Sequence, residues 1–473
     1  MIKKILSISN IGHFIDYKVK GNNEWNGEFH KINIIYAENA TGKTTLATIL
    51  KSLAQNDLNI LNFKKTFSSI DVPEIKILFE NKIITFNGDS WDDILDIEVY
   101  DTNYIEDYLF VGSVTKKQNK DNLYRLLLGQ KGIELKRNIK HLMKEKKKIE
   151  NNKKRYMFTN NNFDLNQVDL AFEELKKEFE NYAKPIFLKH IETMNYYLSK
   201  FTSYIKIVDI KSQAGSGYDI YHIYPVYEVY GEQISFSWPA VTNKVYNARY
   251  SLSEGDKSTI ALCFFLARLD VENINNKIVV FDDPLSSFDY SRRNATIFQL
   301  SKIAEQSKQF ILLTHDLNFA YDFSKKCDYM DIVNLKIEKH NNTSGLYYHK
   351  IANEFLPGIQ KDIKIVNDYL NSNNHEKREV IRCIRPILEG IIKIKYFDII
   401  ENNLWLGDII SLIQKSNNDS RLNKLKSIIP DLNELNDYSK IYHHASSNCN
   451  HENINSCELK QYLYLLIKTI DKI

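Results

Sequence analysis

Two patterns of apolar and polar positions alternate along the chain in four stretches. Up to about residue 130 the apolar residues come in short runs closed by turn residues, the mark of β-strands. Ile75–Phe79, Ile83–Phe86 and Ile97–Tyr100 are such runs, with Asn81 and Asn87-Gly88 as turn signals. Met1 to Asn10 turns polar too quickly for a signal peptide and reads as a first strand. From Gly132 to Phe201 the spacing becomes helical, divided by a polar turn at Asn160–Asp164. Two helices with a short turn predict an antiparallel arm, on the order of 40 Å long. Strand runs resume after Phe201. Ile220–Val229 and Ile234–Trp238 read as a hairpin near Gly231, and Ile278–Phe281 and Phe310–Leu313 as buried strands. A last hairpin is expected over about Val333–Lys350, turning at Asn341–Gly345. Beyond Leu356-Pro357-Gly358 the periodicity is helical throughout, with no strand signal.

Composition changes this picture little. The 473 residues suit two or three domains, and 43% hydrophobic with 26% charged residues is ordinary for a soluble globular protein. A net charge of +3 is too small to argue nucleic-acid binding for the whole chain. The arm is the exception: eleven Lys and Arg between Lys131 and Arg155 face only Glu134, Glu145 and Glu150. That run reads either as a solvated helix face or as a nucleic-acid contact. No apolar run approaches the roughly 18 residues of a membrane helix. Five scattered cysteines (Cys263, Cys327, Cys383, Cys449, Cys457) form no paired framework, which points to reduced thiols in a cytosol.

The chemistry begins after the apolar run Ile32, Ile34, Ile35. A polar loop, Ala37-Glu38-Asn39-Ala40-Thr41, leads into Gly42-Lys43-Thr44-Thr45, and Leu46, Ile49, Leu50 and Leu53 follow at helical spacing. Strand, loop, Gly-Lys-Thr and helix in that order make a P-loop. Its backbone N–H groups cradle phosphates, Lys43 reaches the β- and γ-phosphates of ATP, and the Thr44 hydroxyl ligands Mg²⁺. Alanine stands at 37 where the pattern wants glycine, which fits only at negative φ. Three further features come in order. Ser253-Glu254-Gly255 opens an apolar helix, a second anion-binding N-terminus that should serve a partner subunit. Asp282 ends a strand, as a Mg²⁺-linked acid does, and Asp283 beside it suits the group that orients the attacking water. His315 at the tip of the next strand can touch the γ-phosphate.

These residues resemble the ATP-binding-cassette (ABC) ATPases, in the coiled-coil branch that includes the SMC and Rad50 proteins. Leu252-Ser253-Glu254-Gly255-Asp256 looks like their signature motif, Ser286-Ser-Phe-Asp289 like the D-loop, and His315 like the switch histidine. The resemblance is nearer still to the ATPase of the PrrC and RloC anticodon nucleases, which also have a Val-(Tyr/Phe)-Asp segment, here Val99-Tyr100-Asp101. It covers about residues 1–350. The chain departs from it at Ala37 and Ala40, where glycines are usual, and at Asp283, which replaces a glutamate and implies slow hydrolysis. Gln118 is the candidate Q-loop glutamine, and without a CxxC the arm lacks RloC's zinc hook.

PrrC-like nucleases carry a helical domain with an Arg, a Glu four residues later and a downstream His. Arg385-Pro-Ile-Leu-Glu389 offers the first two, and His443 or His444 the third. Base, acid and phosphate-neutralising cation are what metal-free RNA cleavage needs. Arg378, Arg382, Arg385 and Glu389 fall on one helix stripe, while Pro386 argues for a helix start within it. The alternatives are a surface Arg–Glu pair, or zinc held by His443, His444, Cys449, His451 and Cys457 at no standard spacing.

The expected architecture is therefore α/β. It is a P-loop ABC ATPase with a short antiparallel helical, coiled-coil arm inserted between its lobes and an all-α C-terminal domain. Residues 1–130 make the N-terminal lobe, 131–203 the arm, 204–352 the second lobe and 353–473 the effector domain. The resemblance implies a cytoplasmic homodimer using ATP and Mg²⁺, away from membranes, whose nucleotide state controls a tRNA-cutting domain used against phage. One alternative is a defence ATPase controlling a separate, operon-encoded effector. Another is an SMC-like DNA-repair ATPase, which would want a longer arm.

Overall fold

The computed structural model describes the chain apart from residues 22–24, 57, 68, 102–103, 105–127, 129–130, 133, 136, 151–161, 214–221, 236–245, 248–250, 285–289, 341 and 444–453. It forms two compact units, Met1–His349 and Lys350–Ile473.

The described residues of the first unit form three sheets. β1 (Ile2–Ile11), β2 (Phe14–Lys18), β4 (Glu74–Phe79) and β5 (Lys82–Phe86) form an antiparallel sheet in the order β2-β1-β4-β5. β4 alternates exposed and buried residues, as strands of one-sided sheets do, whereas β1 buries every third residue and shifts register against β4 between Ile2 and Lys4 and between Ile5 and Ser7. β3 (Ile32–Ala37), β6 (Ile97–Tyr100), β11 (Ile278–Asp282), β12 (Gln309–Thr314), β13 (Ile332–His340) and β14 (Thr343–Tyr348) form the central sheet, ordered β14-β13-β3-β12-β11-β6. All its pairings are parallel except β13 with β14. β11 and β12 are buried at every position, because helices cover both faces of a parallel sheet. On one face α1 (Lys43–Gln55) inserts Leu46, Ile49, Leu50 and Leu53 into a core shared with Ile278, Val280 and the antiparallel sheet. On the other, Phe281 meets Phe265 and Phe310 at ring-centroid distances of 5.3 and 5.6 Å. The third sheet runs β10-β9-β8-β7, from β7 (Ile205–Gln213), β8 (His222–Val229), β9 (Glu232–Ser235) and β10 (Tyr246–Asn247). The expected hairpin near Gly231 is β8–β9, turning through Tyr230 and Gly231 at positive φ. The part of it reaching Trp238 lies outside the described residues.

After the short helix α2 (Leu58–Asn62), the arm consists of α3 (residues 137–150) and α4 (Asn162–Phe201). Leu135 and Ile139 pack against Phe179, Ala183 and Phe187, and Lys146 pairs with Asp169 at 2.7 Å, so the two helices lie side by side. Forty residues make α4 about 60 Å long, more than the expected arm. Its C-terminal part packs into the body of the first unit. There Met194 and Leu198 are buried, and the ring of His190 meets Phe264 of α5 (Glu254–Val271) at 4.8 Å. Burial and the nearby Arg268 charge push the His190 pKa down to about 4, so it is a neutral core residue. α6 (Tyr290–Gln306) and α7 (Leu317–Lys326) complete the unit.

The second unit is all helical among its described residues: α8 (Gly358–Ser372), α9 (Lys377–Lys395), α10 (Leu406–Lys415), α11 (Ile429–His443) and α12 (Ser456–Ile470), with 3₁₀ turns between. α9 sends Val380, Ile381, Ile384, Ile387 and Leu388 into a core that all five helices share. Pro386 does not start this helix but lies inside it. Its ring sits on the exposed side, so the core-facing residues keep their periodicity through it.

Candidate active site

Three strand ends of the central sheet carry the site. β3 ends at Ala37, which is extended and buried, so alanine takes that position without strain. Ala40 is different: its φ of 61° lies in the left-handed region, the physical reason glycine is usual there. Glu38, Asn39 and Ala40 are exposed, and Thr41 folds back so that its N–H and hydroxyl both donate to the Glu38 carbonyl. Ser344 donates its hydroxyl to the Thr41 carbonyl from the β13–β14 hairpin. Gly42 has φ 118°, and a Cβ there would lie 2.9 Å from the Phe14 ring, so the position is closed to side chains. α1 begins on Gly42 with no side-chain cap, which leaves its first N–H groups pointing at the loop. Thr45 is buried against Gly12, whereas Thr44 stays exposed and its carbonyl accepts from Lys64 at 3.3 Å.

Parallel register sets Asp282 of β11 beside Leu313 of β12, and the Asp283 N–H donates to the Leu313 carbonyl at 2.9 Å. This brings Asp282, Asp283 and His315 to one edge, opposite Lys43. The Lys43 ammonium donates to Asp282 Oδ1 at 2.8 Å and also to Asp283. Asp283 holds φ 47°, a conformation Asp tolerates better than most residues and one typical of constrained functional positions. Its Oδ1 accepts from the His315 N–H at 3.0 Å and lies 2.8 Å from His315 Nδ1. Burial pushes the Asp282 carboxyl up, opposed by Lys43, with the Asp283 and Asp101 charges adding to the rise. Burial also works against the charge on Lys43, but Asp282 and Asp283 outweigh it and raise its pKa. Asp282 Oδ2 is buried with no hydrogen-bond partner. A buried carboxylate oxygen left without a partner is a donor that suits a hard cation such as Mg²⁺.

The signature segment is organised differently. Ser253 caps α5: its Oγ accepts from the Asp256 N–H at 3.1 Å and donates to Asp256 Oδ2 at 2.8 Å. Leu252 is buried, and Glu254 pairs with Lys257 at 2.7 Å. Arg292, near the start of α6, donates to Asp256 at 3.0 Å, to Tyr204 Oη at 2.8 Å and to Thr259 at 2.9 Å. Tyr204 also donates to Asp256 and stacks on Tyr230, 4.5 Å between ring centres. No local spacing marks Arg292, Tyr204 or Lys64 as parts of a site, and Asp101 stands out in the sequence only as the end of the Val99-Tyr100-Asp101 segment. Ser286 to Asp289 and Gln118 lie outside the described residues.

In the second unit Arg385 and Glu389 share one face of α9, with Nη2 3.7 Å from Oε1. Glu389 Oε1 also accepts the Leu406 N–H at 2.9 Å, so it satisfies the first turn of α10. The Nε atoms of Arg378 and Arg385 are buried without a hydrogen-bond partner. His443 is the last residue of α11, while His444, Cys449 and His451 fall outside the described residues. No cluster of three metal-ligating side chains occurs among the described residues. No described helix is long and apolar enough to cross a membrane.

A phosphate-type loop, a histidine just past the neighbouring strand and two acids at the end of the strand beyond it define a P-loop ATPase of the ABC type. The chain belongs to the family described as an AAA domain (AAA_13), whose model matches residues 10–213 and 240–456. It is similar to the energy-coupling factor transporter ATP-binding protein EcfA1 of Fusobacterium nucleatum, 23% identical over 135 residues, 28% of this chain. The chain spans about half, 48%, of that curated relative's length. Among solved structures it is similar to the RecF recombination mediator with ATP, at TM-score 0.46 and 15% identity over 73% of this chain and 97% of that one. It is also similar to the Smc head domain of Pyrococcus furiosus bound to the C-terminal domain of ScpA, at TM-score 0.43 and 10% identity over 77% and 100%.

Proposed function

We propose that this chain is one subunit of a cytoplasmic homodimeric ATPase that holds ATP and Mg²⁺ between the P-loop of one subunit and the signature helix of the other. The observation that carries this reading is the bridge from Lys43 to both Asp282 and Asp283 beside the orphaned Asp282 Oδ2. Phosphates entering the loop would meet the uncapped first N–H groups of α1 and draw the Lys43 ammonium off the two carboxylates. Asp283, released from Lys43, would accept a hydrogen bond from the attacking water and orient it, and His315 stays oriented by the same carboxylate. Mg²⁺, held by Asp282 and Thr44, would neutralise charge on the β- and γ-phosphate oxygens. Leu252, Ser253, Glu254 and Gly255, with Asp289, would close the site from the second subunit.

The nucleotide state then governs the C-terminal helical unit, which acts as an RNase on tRNA in defence against phage. The buried, unpartnered Nε atoms of Arg378 and Arg385 support an anionic ligand there, since such groups are costly to leave unsatisfied. Arg385 would neutralise the scissile phosphate, Glu389 and His443 or His444 would move protons. One observation favours a second reading, a sensor ATPase acting on a separate effector: Glu389 is already engaged at the start of α10.

Mixing Lys43→Ala with Ser253→Arg protein should leave at most one working site per dimer, and each variant alone should be inactive as an ATPase. Full turnover by either variant alone would end the dimeric ATPase reading. RNA profiling after induction should give cleaved tRNA for wild type and whole tRNA for Arg385→Ala and His444→Ala, with ATPase activity intact. Intact RNA from wild-type cells under phage infection would leave the sensor reading standing.

A further inference from the structure

Asp101 stands one residue beyond β6, at the end of the Val99-Tyr100-Asp101 segment. β6 pairs in parallel with β11, Tyr100 beside Phe281, so the next residues in register are Asp101 and Asp282. Both carboxylates are nine-tenths buried or more, with side-chain exposures of 10% and 0%. Each is anchored through one oxygen to a lysine of α1. Lys43 Nζ holds Asp282 Oδ1 at 2.8 Å, and Lys51 Nζ holds Asp101 Oδ2 at 2.7 Å. Each leaves its other oxygen, Asp282 Oδ2 and Asp101 Oδ1, buried without a hydrogen-bond partner among the described residues. The two groups feel each other: after burial, Lys43 and Asp283, the Asp101 charge also acts on Asp282. It acts on Lys64 as well, whose ammonium reaches the Thr44 carbonyl.

A structural tie between α1 and β6 would account for Asp101 Oδ2 and nothing more. It gives no reason for a second bare carboxylate oxygen on the residue in register with Asp282. Buried polar atoms are satisfied in native proteins unless a ligand or water completes them. Two neighbouring carboxylates, each clamped at one oxygen and open at the other, match the way a metal ligand and its second-sphere partner are held. We infer that Asp101 is a positioning residue for the divalent cation, Oδ1 accepting from a water ligand of the ion that Asp282 holds, while Lys51 fixes the carboxylate in place. This rests on the ATPase reading above and gives the acid of the Val99-Tyr100-Asp101 segment a role in that site.

The test reads metal affinity rather than turnover. Free Mn²⁺ is titrated by its paramagnetic resonance signal against the full chain with a non-hydrolysable ATP analogue, and nucleotide binding is measured separately in EDTA. Asp101→Asn keeps the shape, so analogue binding in EDTA should be unchanged while Mn²⁺ affinity drops at least about 10-fold. Asp101→Glu, which restores the charge, should recover most of that affinity. Lys51→Met loosens the clamp and should weaken Mn²⁺ by a smaller factor, about 3-fold. Folded Asp101→Asn protein that binds Mn²⁺ as wild type does overturns the inference. Should that variant fail to fold, unchanged Mn²⁺ affinity in Lys51→Met overturns it instead. Wild-type protein that binds no analogue even without metal would refute the ATPase reading itself, a separate and visible failure.

Discussion

Two helices of the first unit begin on residues that the sequence marks as anion sites, yet they begin differently. α1 starts on Gly42 with no side chain to cap it, and every group that could act with it, Lys43, Asp282, Asp283 and His315, is already gathered around. α5 starts on Ser253, whose hydroxyl is closed on Asp256 both as acceptor and as donor. Arg292 and Tyr204 hold that aspartate in turn. One start is an open ligand site; the other is satisfied within its own lobe. The difference suits a site whose first half waits for phosphate and whose second half changes partners only when another subunit presents it.

The strongest way to break this contrast is at Lys43. Lys43→Met removes the cation shared by two buried carboxylates, so the variant should lose hydrolysis to background and about 3 kcal/mol of stability. Chemical denaturation with a parallel ATPase assay measures both. A variant as stable as wild type would mean the acids are compensated elsewhere, and the open site would not depend on its lysine.

Asp283→Asn comes next. The amide keeps the size and still accepts from the His315 N–H, but it no longer orients water as a carboxylate does. Hydrolysis should fall by roughly 10²-fold while ATP binding persists, and the trapped dimer should elute larger on size exclusion with ATP and Mg²⁺. Undiminished turnover would move the catalytic role to another acid.

How much of this was legible in the sequence depends on whether function is carried by contiguous residues. Ile32 to Leu53 and Ile278 to Asp283 read directly as strand, loop and helix, because local apolar period and glycine chemistry dictate them. The stacking of those strand ends into one edge also follows, since parallel strands deliver their ends to the same side. Asp101 and Arg292 were not legible as site residues. Asp101 matters through its register with Asp282, and Arg292 through contacts to residues 36 and 88 positions away, which no local pattern encodes. Pro386 misled for the opposite reason: a local rule for helix starts gave way to the tertiary burial of the face opposite the proline. The pairing of Arg385 with Glu389 was readable at i,i+4, but the use of Glu389 on the α10 N-terminus was not, because its partner Leu406 is 17 residues on.

Asp256→Asn sharpens the comparison through pH. Burial alone would raise this carboxyl, but hydrogen bonds from Tyr204, Ser253 and Arg292 outweigh it and hold the pKa below the ordinary value. The unfolded chain therefore binds this proton more readily than the folded one. The carboxylate stabilises the fold above about pH 4, and that contribution is lost as pH falls through the lowered folded pKa. The variant should be less stable than wild type by about 1 kcal/mol at pH 7, with the gap closing below about pH 4. A gap independent of pH would show that shape, not charge, holds the signature start together.

The smallest effect is the most specific to how α5 begins. Ser253→Ala deletes an N-cap, which costs about 1 kcal/mol in comparable helices. Asp256→Asn in the same protein removes the other half of the same reciprocal contact, so the two losses cannot add. A double-mutant cycle by urea denaturation at pH 7 should return a coupling of about 0.5–1 kcal/mol, the double variant being more stable than the sum of the singles implies. The cycle reads the free energy of the closed Ser253–Asp256 arrangement, which must be given up before the Ser253 hydroxyl can turn to a phosphate. Repeated with a non-hydrolysable ATP analogue and Mg²⁺, the coupling should shrink toward zero as the dimer engages that hydroxyl. A coupling of zero without nucleotide would mean that α5 begins as openly as α1, and the contrast between the two helix starts would have no energetic content.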